Sequence, residues 1–176
     1  MRTSSVALAS VVTALFTVSV FSQDGPKPSQ LGSVTQQINQ TTVKLDYSRP
    51  VARGRELFGH LVPWGKVWTP GANDATTISV STDVRVNGQA LAAGIYSVWS
   101  EPQRDLWTIV FNSAHPVFHL QYAAVAAQDA LRVRVKSREG LHMETLAWYF
   151  PSVDGRKAEL VAHWGAVVVP LQLDVP

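Results

Sequence analysis

Along most of the chain beyond residue 40, apolar and polar side chains alternate with a period of two. Val43, Leu45 and Tyr47 alternate with Thr42, Lys44 and Asp46; Ile78 and Val80 alternate with Ser79 and Ser81; Leu131, Val133 and Val135 alternate with Arg132, Arg134 and Lys136. Successive side chains of an extended strand point to opposite faces, so each run predicts a strand with one face in a core and one in water. Ile95–Ser100, Trp107–Phe111 and the aromatic-rich Met143–Phe150 add further strands. Asp83–Val86 runs into Asn87-Gly88, and Asp154-Gly155 marks a second turn; both dipeptides suit the positive φ angles of a tight hairpin. In the last run Val167, Val169, Leu171, Leu173 and Val175 share one face, with Pro170 on the other set. Proline has no N–H to donate, so this strand is expected at a sheet edge or bulged at Pro170. Helical period is confined to a short turn around Arg53–Leu61 and an alanine-rich piece within Gln121–Ala130. About nine or ten short strands separated by turn signals predict an all-β fold: a single antiparallel β-sandwich, jelly-roll-like, with one long ordered loop.

The first residues do not follow that pattern. Arg2 precedes an uncharged, weakly polar to apolar run from Val6 to Phe21, followed by the small residue Ser22. This is the layout of a secretory signal peptide, here 1–22, and the run is too short and too rich in Ser and Thr for a stable membrane span. Residues 23–32, which contain DGPKPSQLG, read as an irregular lead-in, and 33–176 as the sandwich domain. The expectation is a periplasmic or secreted protein with no membrane span after cleavage. With no cysteine in 176 residues, disulfides, thiolate metal sites and cysteine nucleophiles are excluded, and an exported domain must be held by packing alone. Fifteen basic against 13 acidic residues leave no strong electrostatic footprint for nucleic acid.

One stretch lacks strand alternation: YSRPVARGRELFGHLVPWGKVWTPGANDATT, from Tyr47 to Thr77. A long ordered loop in a compact domain either carries function or covers a sheet face. Phe58, Trp64 and Trp68 bring enough apolar area to pin it to the sandwich. Its motifs YSRP, GRELFG, LVPWGKVW and GANDATT, with VNGQALAAGIYSVW and WTIVFN further on, resemble an uncharacterised family of exported bacterial proteins, domain of unknown function 2911. The resemblance runs from about Pro28 to Leu173. It departs at Thr69 or Pro70, where the family more usually carries Arg. It implies an exported all-β domain and brings no established activity.

Several chemistries lack their residues. His115 and His119 would stand about 13 Å apart along a strand, too far to share one ion, and the other histidines are scattered, so no metal or other cofactor is expected. No G-x-S-x-G elbow occurs. Glu144, expected on the same side as Leu146 and Trp148, is the best acid for a glycosidase pair, but a salt bridge to a neighbouring Arg is the simpler role. Arg132, Arg134, Lys136 and Arg138 on one strand face could track phosphates, yet such a face is usually solvated or paired with acids across the sheet. Nucleic acid is not an expected partner.

Ligand binding has the most residues in its favour. Trp68 offers a flat apolar face, Arg49 and Arg55 can fork onto a carboxylate or sulfate, and Asn73 carries a donor and an acceptor on one amide. Tyr47, Thr76 and Tyr96 complete the candidate set, with Gly71 permitting close backbone approach. The same residues read equally as buried structural groups hydrogen-bonded within the loop. The expectation is a non-catalytic domain that binds a small molecule, glycan or envelope partner through a groove bordered by residues 47–77. The alternatives are a carbohydrate-active hydrolase or a purely structural envelope module.

Overall fold

A computed structural model describes residues 27–176. The segment read as a signal peptide, and residues 23–26 of the lead-in, lie outside the described residues. Among the described residues ten strands form: β1 (Gln30–Ile38), β2 (Thr41–Arg49), β3 (Thr77–Val80), β4 (Val84–Val86), β5 (Gln89–Leu91), β6 (Gly94–Glu101), β7 (Leu106–Asn112), β8 (Asp129–Lys136), β9 (Arg138–Asp154) and β10 (Lys157–Asp174). They build a six-stranded sheet in the order β1-β2-β3-β6-β7-β8 and a four-stranded sheet in the order β5-β4-β10-β9, with antiparallel neighbours throughout. The all-β sandwich expected from the alternation is what forms.

The inward set of each strand makes the core between the sheets. Val43, Leu45, Ile78, Val98, Ile109, Phe111 and Val133 from the larger sheet meet Leu146, Trp148, Leu160, Leu171 and Leu173 from the smaller one. The outer face of the larger sheet carries a second cluster. There Trp99 and Val110, both fully buried, lie under Ala75, Val117, Tyr122 and Val125. Tyr122–Val125 is the single α-turn among the described residues, and Ala126–Gln128 continues it as a 3-10 turn. The alanine-rich piece is therefore helical. The other helical expectation, Arg53–Leu61, is overturned: Arg53, Gly54 and Gly59 hold positive φ (52°, 67° and 98°), and the segment is a chain of turns.

Both predicted tight turns are present. Asn87 and Gly88 take positive φ between β4 and β5, and Gly155 does so between β9 and β10. Two other readings are corrected. β1 begins at Gln30, inside the stretch read as irregular, because its backbone pairs with β2 from Gln30↔Arg49 onward. β10 is an interior strand rather than an edge, and no register shift falls at Pro170. Its pairing with β9 ends at Val168↔Arg138 and its pairing with β4 starts at Leu173↔Val86, so Pro170 sits where the strand passes from one neighbour to the other. A missing N–H is harmless there. The four cations expected on one face are also divided: Arg138 opens β9 in the other sheet and pairs with Glu159 (2.7 Å), while Arg132 of β8 pairs with Asp129 (2.8 Å) and Glu101 (3.4 Å).

Candidate functional site

Between β2 and β3 the chain runs as one long ordered strap that crosses from sheet to sheet. At its start Val51 bridges to Thr145; Leu146 N–H donates to the Pro50 carbonyl (2.9 Å) and Ala52 N–H to that of Glu144 (2.7 Å). These bonds occupy part of the outer edge of β9, which a sandwich otherwise leaves open. Further on, Trp68 exchanges backbone bonds with Ser100 of β6, donating at 2.8 Å and accepting at 2.7 Å. Between these anchors the aromatic residues close the strap onto the core. Phe58 packs edge-on against Trp107 (5.2 Å) and Trp164 (6.3 Å), and Trp68 stacks on Trp164 at 6.0 Å and 16°. The pinning role expected of Phe58 and Trp68 is thus physical, while Trp64 stacks on Phe58 at 6.0 Å from outside.

A second segment reaches the strap from the far side. Ala75 N–H donates to the Val117 carbonyl (2.8 Å), His119 N–H to that of Asn73 (3.0 Å), and Asp74 bridges to Phe118. This places His119 and Leu120 opposite Arg53, Leu61 and Val67. Between them lies a cleft of about 440 Å³, floored by Trp68 and Trp164 and lined also by Pro50, Val51 and Arg55. Its rim is unusually apolar for exposed surface: Leu120 is 76% exposed, Leu61 45% and Val67 37%.

Of the residues singled out from sequence, Trp68 and Arg55 line this cleft. The Arg55 guanidinium is held in place through Nε–H to the Ala52 carbonyl (2.8 Å) and Nη2–H to that of Val51. Arg49 is half-buried and turned toward β9, its Nε–H donating to the Leu146 carbonyl (3.2 Å) and its stem lying over Gly32. Tyr47 is buried, and its hydroxyl accepts the Trp148 N–H (3.0 Å), tying the two sheets. Thr76 is fully buried. Its hydroxyl donates to the Pro70 carbonyl (2.8 Å) and lies where a side chain at Gly71 would collide at 2.6 Å, so the close approach that Gly71 permits is by the protein itself. Asn73 takes φ of 62° and donates to Ser48 Oγ (3.0 Å) and the Ser29 carbonyl (3.3 Å), beside a neighbouring shallow pocket rather than in the cleft. Tyr96 bonds the Ala92 carbonyl (2.9 Å) next to Gly94, apart from the others.

Thr69, in the region where the family more usually has Arg, is fully buried. Its hydroxyl donates to the Val98 carbonyl (2.8 Å) and accepts the Thr76 N–H (3.0 Å). Glu144 makes a different contact from the arginine salt bridge expected. Its carboxylate accepts the Arg53 backbone N–H (2.6 Å) and meets His142 Nε2 (3.0 Å). The His142 bond, then the Arg53 N–H, and more weakly the Arg55 charge hold its carboxyl below the usual range. Among the described residues no three His, Asp or Glu gather as metal ligands, and no helix is long and apolar enough to cross a membrane.

Sequence reasoning missed Arg53, Leu61, Val67, His119, Leu120 and Trp164. The first three sit in the strap already singled out, and their exposure carries no local signal. His119 and Leu120 arrive only through the docking of a remote segment.

Fold and site together define a two-sheet β-sandwich whose long interstrand strap forms one wall of an apolar cleft. Residues 29–173 match the family described as "Protein of unknown function (DUF2911)", and the chain belongs to that family. No curated protein and no solved structure matches the chain.

Proposed function

We propose that this chain is an exported, non-catalytic binding domain that holds a small molecule in the cleft between the strap and residues 119–120. The observation that carries the reading is the cleft itself. Its volume is in the range of small-molecule sites, and it leaves Leu61, Val67 and Leu120 in water beside two tryptophans. Its lining contains no Asp, Glu, Asn or Gln. That composition favours an apolar ligand over a glycan, whose hydroxyls are read by carboxylates and amides. It also disfavours a hydrolase, which needs two carboxyl groups about 5–9.5 Å apart beside the bound sugar. A structural module with no pocket fits less well, since Trp68 is only partly buried and borders open space. The apolar run before the domain supports export to the periplasm or beyond.

The reading is tested by a thermal-shift screen over medium-chain alcohols, medium-chain and small carboxylates, envelope sugars and peptidoglycan fragments. A ligand at 100-fold excess over Kd stabilises by ~2.7 kcal/mol. Leu120→Glu places a charge on the exposed rim without disturbing the core. A shift that this variant abolishes supports binding in the cleft, and a shift that survives it refutes the location.

A further inference from the structure

We infer that the ligand of this cleft is an anionic amphiphile: a small apolar body carrying a single carboxylate, its charge held by Arg53 and Arg55. The inference rests on the binding reading above and adds the ligand's chemistry.

Arg53 and Arg55 both line this largely apolar cleft, and among the described residues no carboxylate forms an ion pair with either. The nearest acid, Glu144, is engaged elsewhere: one oxygen takes the Arg53 backbone N–H and the other faces His142. It offsets part of the local charge, and Glu56, next to Arg55 in the chain, pairs with His60 at 3.2 Å and with neither guanidinium. Arg55 is preorganised, because its Nε and Nη2 already donate to strap carbonyls, leaving the rest of its fork for a ligand. Among the described residues the Arg53 side chain has no hydrogen-bond partner, while its backbone is fixed at φ 52° by the Glu144 contact. Preorganised donors lose little freedom on binding. A carboxylate placed between the two arginines would leave its hydrocarbon portion along Leu61, Trp68 and Leu120, covering the apolar surface that water now touches.

The test is isothermal titration calorimetry of the full chain with octanoate and with octanol, each kept below its aggregation concentration. Octanoate should bind about tenfold or more tightly than octanol, the scale of a charge-assisted hydrogen bond. Arg53→Gln and Arg55→Gln should erase that preference, and Leu120→Glu should weaken octanoate. Should Arg55→Gln disturb the strap, visible as a lowered melting temperature, Arg53→Gln alone decides, since its side chain bonds none of the described residues. Equal binding of acid and alcohol that Leu120→Glu weakens would overturn the anionic ligand and leave the cleft reading standing. Absence of binding by both, or binding indifferent to Leu120→Glu, would overturn the two together.

Discussion

Gly165→Ala should destabilise the domain through one identifiable contact. Gly165 lies within β10 between two register shifts, with φ of 57°, opposite Met143. Left-handed φ costs an L-residue about 1–2 kcal/mol. A Cβ there would also meet Leu57 Cδ1 at 2.9 Å, while Leu57 Cγ is at 4.0 Å, an ordinary contact. Leu57 is a buried residue of the strap and can retreat only by moving its neighbours, which adds about 1 kcal/mol. The sum, roughly 2–3 kcal/mol, corresponds to a melting temperature lower by about 4–12 °C for a chain of this size. The two contributions separate in a double-mutant cycle with Leu57→Val, which removes Cδ1 at a cost of about 1 kcal/mol. In that background Gly165→Ala should lose only the backbone part. Urea denaturation followed by tryptophan fluorescence measures all four proteins. A loss within 0.5 kcal/mol of wild type, about the scale of a surface substitution, or a loss unchanged by Leu57→Val, would refute the reasoning.

Three further outcomes follow from buried polar groups. Among the described residues the Trp107 indole N–H is buried without a partner, whereas that of Trp148 donates to the Pro70 carbonyl (3.0 Å); Trp148→Phe should therefore cost about 1–3 kcal/mol more than Trp107→Phe in urea denaturation, and equal losses would contradict this. Thr69→Val strands the buried Thr76 N–H and should lose about 1–3 kcal/mol, while Thr69→Ser, which keeps the oxygen, should lose less than about 1 kcal/mol. Burial, reinforced by the Asp129 carboxylate bonded to it at 2.6 Å and opposed by Arg132, raises the Tyr122 phenol above its ordinary value of 10.0. A raised folded value gives stability that is complete below the unfolded value and lost as pH rises through the folded one. Stability measured from about pH 9 to about pH 11 should thus fall more steeply in wild type than in Tyr122→Phe, and parallel curves would refute it.

The fold was legible wherever a strand has one wet face, because burial then writes period two into the sequence. It was not legible at β5, which is three residues long, nor at the start of β1, where Gln30, Leu31 and Gly32 carry no alternation and are strand only because β2 lies beside them. Pro170 misled for a related reason: the neighbours of an 18-residue strand change along its length, and sequence does not record which neighbour a given N–H faces. The candidate site was legible as a segment but not as a surface. Tyr47 and Thr76 offer hydroxyls whose partners, the Trp148 N–H and the Pro70 carbonyl, are invisible until the chain is folded. Leu120 carries no local signal in the sequence, and only the bonding of 117–119 to 73–75 brings it to the cleft.

The strap's two roles are physically linked. Covering the β9 edge requires Pro50, Val51 and Ala52 to hold strand-like geometry against Thr145 and its neighbours. Those same residues supply the carbonyls of Val51 and Ala52 that fix the Arg55 guanidinium, and the turn at Arg53 follows directly. A rigid edge cover therefore yields one rigid cation, Arg55, beside the cleft, with the backbone of Arg53 fixed next to it. Phe58 and Trp68 fasten the rest of the strap against Trp107 and Trp164, so the apolar floor is set by the packing that holds the sheets together. Loosening the aromatic contacts should lower stability and affinity together, whereas changing Arg53 or Leu120, which the core does not use, should separate them.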